Sequence, residues 1–587
     1  MIRELEQLAQ ELSVTVEVIN GEVFISSSED NNIFNFVQYV RLHKGEIVKF
    51  ARSKSGESCF RIGPPAITPD LLALVDLTQE QIDRIVAGVV GGSSNVQDIY
   101  PLAPLQEGIL FHHLMAQEGD PYLLWNLTSF ANRDTLDRYI SALDRVIARH
   151  DILRTSFVWE GLPEAVQVVW RQAPVQVEEV QLDPAEDIAA QLKSRFNPRH
   201  YRLDVRQAPL RRLFIAHDPI RDRWVMMHLF HHLSTDHVTA EVIQAEIRDH
   251  LLGRIEDLPA PSPFRNFVAQ ARLGVSREEH EAFFREMLGD VDETTAPFGL
   301  LDVQGDGSGI DEASLSLEPS LSQRLRAHAR ALGVSTASLF HVAWALVLSR
   351  SSGQRDPVFG TVLFGRMQGG EGADRSLGLF INTLPVRIRL GEKGVEQSIL
   401  ETHRQLAGLL HHEHASLALA QRCSRVPAPA PLFTSLFNYR YISPRTPSKA
   451  RSRAFEGIKS LDGAERTNYP VGLSVNDLGV DFSLTAQTVS PLDPGRLCAM
   501  MHRALEELTE ALEKKPQYPV GRLDILPASE RHHVLVELNQ TQAPYPSDLC
   551  VHQLFEEQVD RDPQAIAVVY GDVSLTYGEL NERSNRL

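Results

Sequence analysis

The sequence predicts a mixed α/β fold of the α+β kind, divided into several units. Three observations carry this. The chain has 587 residues, more than one ordinary core accommodates. Apolar residues recur at helical spacing in some stretches and alternate with polar residues in others. Stretches broken by Pro and Gly, around residues 53–69 and at Pro259, Pro261 and Pro263, interrupt those patterns.

The elements follow in order. Leu5, Leu8 and Leu12 have helical spacing, and Val14, Val16 and Val18 alternate as in a half-buried strand. Asn20-Gly21 is a two-residue hairpin signal, with Val23 and Ile25 on the return strand. One further helix is predicted from Ile33, Phe36, Val37, Val40, Ile47 and Val48, carrying Arg41, Lys44 and Lys49. Residues 1–55 thus read as a small helix–hairpin–helix unit, and 56–69 as a linker. A short helix from Leu77 to Val90 leads through Gly91-Gly92-Ser93-Ser94 into the main body. There, helices are predicted at Thr135–Arg149, Ser322–Leu332, Ala337–Ser349 and Arg496–Lys514. Strands are predicted at Trp224–Met227, Pro357–Leu363 and Leu384–Leu390. The proline-rich stretch divides the body into 70–265 and 266–525. The tail, 526–587, starts a new α/β pattern with a strand at Ala565–Tyr570, a turn at Gly571-Asp572 and a helix from Leu580. That helix is still running at Leu587, which leads us to expect a longer full protein.

Composition excludes several classes. At 43% hydrophobic and 23% charged residues it is that of a globular protein. A formal charge of −19 repels phosphates, so neither nucleic acid nor an anionic membrane is an expected partner. The four cysteines (Cys59, Cys423, Cys498, Cys550) form no CxxC pair, which fits neither a disulfide framework nor a thiolate metal site and suits a reducing cytoplasm. The first residues lack a signal-peptide core, and no apolar run reaches the roughly 20 residues of a membrane span.

The densest reactive cluster is His228-Leu229-Phe230-His231-His232-Leu233-Ser234-Thr235-Asp236-His237, expected where a strand gives way to a loop. One imidazole there can serve as general base on an amine or hydroxyl. Two other readings stay open: histidines satisfied by nearby carbonyls, or a metal held by His228, His232 and His237, although no HExxH spacing supports a metal. Arg149-His150-Asp151-Ile152-Leu153-Arg154-Thr155-Ser156-Phe157 ends a helix, where cations also simply complement the dipole. Gly360-Thr361-Val362-Leu363-Phe364-Gly365-Arg366 lacks the Lys-Ser/Thr pair of a phosphate loop. His112-His113-Leu114, with Gly119-Asp120 downstream, is a fourth cluster.

In this order the segments resemble the condensation domain of a nonribosomal peptide synthetase. Ile99 to Gly108 (IYPLAPLQEG) is similar to that family's opening motif. Arg149 to Phe157 resembles RHExLRTxF with Asp151 in place of Glu. His231 to His237 resembles HHxxxDG with His237 in place of Gly, and Leu377 to Arg387 (LGLFINTLPVR) resembles IGxFVNT. His112 to Asp120 fits HH[I/L]xxxxGD, associated with dual epimerisation/condensation domains. Asp236 to Thr239, Leu436 to Arg440 and Arg466 to Pro470 also resemble that subgroup. Residues 1 to about 55 are similar to the small docking domains of synthetase subunits. Leu575-Thr576-Tyr577-Gly578-Glu579-Leu580 resembles the first motif of an adenylation domain, without its activating parts.

The resemblance implies two chloramphenicol-acetyltransferase-like halves in a V-shaped pseudo-dimer, with a tunnel between them. Donor and acceptor carrier proteins would insert phosphopantetheine arms from opposite ends, the domain itself binding no cofactor. His232 would work at the reaction centre and His231 would support its loop. Asp236 would pair with Arg154, and Arg149 would line or brace the site. His112 or His113, with Gly119 and Asp120, would shape it for epimerisation. His237, Gly365, Arg366, Asn382 and Asn438 are tunnel candidates, His237 narrowing the passage. Implied partners are an upstream carrier protein, the C-terminal docking peptide of an upstream subunit, and downstream adenylation and carrier domains. A starter or ordinary condensation domain without epimerase activity, or a catalytically silent carrier-recruiting module, are the alternatives.

Overall fold

Strong local signals set most element boundaries in the computed structural model. It describes residues 67–116, 118–303, 309–366, 375–442, 453–464 and 468–587. Before residue 67 it describes Leu5, Ala9, 14–19, 22–27, 34–54 and 59–62. Asn20-Gly21, Leu8, Leu12, Ile33, Gln117, Arg466 and Thr467, which the sequence reading used, lie outside the described residues. Residues 1–525 form one compact unit and 526–587 another.

At the N-terminus, β1 (Val14–Ile19) and β2 (Glu22–Ser27) pair antiparallel with Ile19 opposite Glu22. The single predicted second helix is two, α1 (Phe34–Leu42) and α2 (Lys44–Lys54), separated at His43. The expected linker also holds structure: β3 (Cys59–Ile62) pairs with β1, so the unit is a three-stranded sheet in the order β2-β1-β3 that extends past residue 55.

A capping box between Thr78 and Gln81 starts α3 (Gln79–Ala87). The body continues with β4 (Val96–Pro101), α4 (Pro104–Met115), β5 (Leu123–Phe130) and α5 (Arg133–Arg149). Asn132 caps α5 through the Thr135 amide at 2.9 Å, and Leu136, Leu143, Val146 and Ile147 form its buried face. Next come β6 (Thr155–Val158), β7 (Val166–Trp170), β8 (Gln176–Glu179), α6 (Ile188–Arg195), β9 (Arg211–Asp218), β10 (Arg223–His231) and α7 (His237–Leu251). The predicted strand Trp224–Met227 is therefore longer, running through His231.

After α8 (Arg265–Leu273) and α9 (Arg277–Leu288), the second half contains β11 (Ile310–Ser316), α10 (Pro319–Leu332), α11 (Thr336–Ser352), β12 (Val358–Leu363) and β13 (Asn382–Arg387). It continues through α12 (Val395–His411), α13 (Leu417–Arg422), β14 (Ser435–Tyr441), β15 (Ile458–Ala464), β16 (Val471–Asp477), β17 (Phe482–Val489) and α14 (Pro494–Lys514). Its six-stranded sheet has the order β11-β17-β16-β14-β12-β13. Ser338 to Leu348 of α11 are all buried, the mark of a helix enclosed on every side. Among the described residues no single helix is long and apolar enough to cross a membrane.

The boundary at 265/266 is crossed in space. The five-stranded sheet of the first half has the order β15-β5-β10-β9-β8, and its β15 comes from the second half. It pairs along β5 from Ile458 opposite Phe130 to Ala464 opposite Trp125. Phe264, Phe267, Leu377 and Phe380 likewise join the core under α5 and α7.

The C-terminal unit holds α15 (Val551–Arg561), the hairpin β18 (Ile566–Tyr570) and β19 (Val573–Thr576), and α16 (Tyr577–Arg586). Gly571 turns the hairpin at φ +58°, and Thr576 with Glu579 caps α16.

Candidate active site

Strand β10 lies inside its sheet, between β5 and β9, and delivers His231 buried at the strand end. His232 opens a single 3-10 turn, His232–Ser234, and Asp236 caps the helix that follows. The His232 amide donates to the Tyr122 carbonyl at 2.9 Å, and its ring meets the Tyr122 ring edge-on at 6.5 Å. His231, Leu233, Ser234, Thr235 and Asp236 are all buried, whereas His232 is half-buried.

The buried neighbours have fixed work. His231 Nδ1 accepts the Leu233 amide at 3.1 Å, which places its proton on Nε2, 2.9 Å from Asp120 Oδ2. His113 Nδ1 reaches the same oxygen at 2.6 Å, and Asp120 Oδ1 accepts the Tyr122 amide at 2.9 Å. Burial alone would raise the Asp120 pKa, but its interaction and hydrogen bond with His231 and the hydrogen bond of His113 hold it far below the ordinary carboxylate range. Asp120 thus braces His232 from two directions, through His231 and through the Tyr122 backbone. Gly119 makes this possible: it sits at φ +66°, and an added Cβ would fall 2.2 Å from the Arg199 carbonyl oxygen. His113, Asp120 and His231 are close enough to suit a metal ion, but their mutual hydrogen bonds already account for the arrangement. His228, His232 and His237 form no such group among the described residues.

The second histidine of that motif pair behaves differently from the first. His113 is buried against Asp120, while His112 is partly exposed, its ring 6.0 Å from Tyr122. Burial lowers the His112 pKa, favouring the neutral ring. Tyr122 therefore neighbours both His112 and His232. Sequence reasoning missed it; its place directly after Gly119-Asp120-Pro121 was the available signal.

Asp236 pairs with Arg366, not with Arg154. Arg366 Nη2 lies 3.0 Å from each Asp236 oxygen, and the Phe380 amide donates to Oδ2 at 3.2 Å. The ion pair is almost wholly buried and joins the two halves. Arg154 ends the 3-10 turn Ile152–Arg154 ahead of β6 and donates instead to the Trp170 carbonyl and, at 3.1 Å, to Gln97. Arg149 does not reach the site either. It donates to the Pro259 carbonyl and lies 3.4 Å from Glu246, bracing α5 against α7. Arg211, also missed, supports the loop from beneath by donating to Thr235 Oγ1 at 2.6 Å. Burial lowers its pKa to about 10, and burial together with Arg211 drives His228 well below its usual value.

The tunnel candidates separate as well. His237 is exposed on the first turn of α7, 3.5 Å from Glu241. Gly365 is confined by close backbone: an added Cβ would lie 1.9 Å from the Phe380 carbonyl oxygen. Asn382 is buried and donates to the Glu413 and Ala415 carbonyls at 2.8 and 2.7 Å, which makes it a brace for the turn before α13. Asn438 lies on β14 with its side-chain oxygen buried.

Comparison with known proteins agrees with this architecture. A model of the condensation-domain family matches residues 96–535. Malpinin synthetase of Mortierella alpina is 52% identical over 526 residues; the alignment takes in 89% of this chain and 7% of the synthetase, so the chain spans less than a tenth of that relative. A four-domain nonribosomal peptide synthetase bound to AMP and glycine superposes with a TM-score of 0.63 at 14% identity, over 83% of this chain and 38% of that one. The condensation domain of the Monacolin K polyketide synthase MokA does so with 0.55 at 20% identity, over 73% of this chain and all of that one. The chain belongs to the condensation-domain family of nonribosomal peptide synthetases.

Proposed function

We propose that this chain joins a donor acyl group to an acceptor amine at His232, both carried as phosphopantetheine thioesters, after inverting the donor α-carbon. The observation that carries the reading is the contrast within the loop: His231 and Leu233 to Asp236 are buried, and His232 between them is part-exposed. In condensation the acceptor nitrogen attacks the donor thioester carbonyl, a C–N bond forms and the C–S bond breaks. His232 takes the proton released by the amine and returns it to the departing thiolate. Because a thioester is already activated, holding both reactants together supplies much of the rate. For epimerisation His232 removes the α-proton and a proton returned to the opposite face of that carbon completes the inversion; the partly exposed His112 is the second imidazole beside Tyr122. His113 is the one committed to Asp120.

The N-terminal three-stranded unit is proposed to dock the C-terminal peptide of an upstream subunit. The C-terminal unit is proposed to begin an adenylation domain followed by a carrier domain. The resemblance of both flanks to such units supports the assignment, as do the relatives, which are synthetases.

The test supplies an upstream carrier loaded with an L-aminoacyl group and a loaded acceptor carrier, in deuterated water. Deuterium at the donor Cα and a dipeptide with a D-residue first are expected; an all-L dipeptide without exchange removes the epimerase while leaving condensation. His232→Ala is expected to slow dipeptide formation by about 100-fold or more, with unchanged circular dichroism. A folded variant with near-normal turnover would displace His232 from the centre.

A further inference from the structure

A second histidine cluster lies outside the catalytic network, where the start of α9 meets the end of α12. Glu279 is in the first turn of α9, His411 is the last residue of α12, and His412 caps it. One ligand-type atom from each of the three lies within 4.8 Å of the others. His411 Nε2 already contacts Glu279 Oε1 at 3.1 Å. His412 is fixed in place: its ring stacks on Phe283 at 4.2 Å, and its Nδ1 lies 2.9 Å from His280 Nδ1. Two imidazoles at that separation cannot both carry a proton on the facing nitrogens, so one offers a lone pair. A hydrogen bond to the ring nitrogen that does not bind is also what orients a metal-ligating histidine, and with Nδ1 facing His280 the Nε2 of His412 would be the ligand.

We propose that Glu279, His411 and His412 bind one divalent transition-metal ion of the zinc type, clipping α9 to α12. Two imidazole nitrogens and one carboxylate oxygen select zinc, nickel or copper over magnesium and calcium, which prefer all-oxygen shells. Zinc bonds of about 2.0–2.2 Å set tetrahedral ligand atoms roughly 3.4 Å apart. Side-chain rotation closes the remaining gap, since Glu279 and His411 are 55% and 58% exposed. Water completes the shell. The consequence is mechanical: α9 lies near the start of the second half of the body, and the ion would fasten it to α12 of the same half.

The experiment strips the full chain of metal with a chelator and titrates it with zinc(II) by calorimetry, with magnesium(II) as a control. His411→Ala and Glu279→Gln are titrated alongside, both at exposed positions apart from the catalytic residues. One saturable zinc equivalent is expected for the unaltered chain, weakened at least 10-fold in each variant, with magnesium silent. Zinc should also raise the melting temperature of the unaltered chain and leave the variants unmoved. No saturable zinc binding, or equal binding in the variants (as His113, Asp120 and His231 would give), overturns the proposal.

Discussion

His341 sits in the middle of α11, buried, with Nδ1 donating to the Ala337 carbonyl at 2.7 Å and Nε2 facing Thr361 Oγ1 at 2.9 Å. Both nitrogens are satisfied by the neutral ring, and burial lowers its pKa from 6.5 to about 4. The sign follows from linkage: the unfolded chain binds the proton more readily, so stability from this residue is full above pH 6.5 and is lost as pH falls toward 4. A shift of that size corresponds to about 3 kcal/mol. His341→Gln, which keeps polar contacts but does not titrate, is therefore expected to lose less stability than the unaltered chain between pH 6.5 and 4. Chemical denaturation at several pH values measures the difference. A difference that stays constant with pH would show that the ring's titration contributes nothing. The same residue type does opposite work at His232, and only the surroundings of the two nitrogens distinguish them.

At the level of elements, the site is an agreement between a strand end, a helix cap and an arginine from the other half. Asp236 caps α7 through the Thr239 amide at 2.7 Å while pairing with Arg366 just beyond β12. Removing one partner of such a buried pair leaves an uncompensated charge and costs about 3–5 kcal/mol. Arg366→Ala and Asp236→Asn are each expected to destabilise by that order, and the double variant by little more than the worse single one. Arg154→Ala with Asp236→Asn should instead add to within about 0.5 kcal/mol, because the two share no partner. A coupling between Arg154 and Asp236 larger than that with Arg366 would reverse the assignment. This pair also marks how far the sequence reaches. Helical spacing made the stretch Thr135–Arg149 legible, two residues short of the start of α5, and the order of motifs made His231 and His232 legible. The choice of Arg366 over Arg154 was not, since both arginines stand in recognisable motifs and only the folded path of β12 brings one to Asp236. Tyr122 and Arg211 were hidden for the same reason: their roles come from register across β5, β9 and β10, which periodicity does not encode.

For the whole molecule, the linker at Pro259, Pro261 and Pro263 marked a change of half but not a division of the core. β15 leaves the second half to complete the first half's sheet along β5, and Lys193 of α6 anchors it through Asp462 at 2.6 Å. Without β15, the outer edge of β5 presents unpaired amides and carbonyls beside Trp125 and Leu127, the kind of edge that invites association. Without residues 266–525, Phe264 also loses Phe267, Leu377 and Phe380 from its core. A fragment of residues 67–265 is therefore expected to be insoluble or to form polydisperse oligomers. Its co-expression with residues 266–525 is expected to yield a soluble one-to-one complex, since each fragment supplies what the other lacks. Size-exclusion chromatography with light scattering reads both outcomes. A monodisperse, cooperatively melting 67–265 monomer would mean that the first half closes its own sheet and that β15 is an accessory. In that case the halves would be held by the buried pair of Asp236 and Arg366 together with the packing of Leu377 and Phe380 on Phe264.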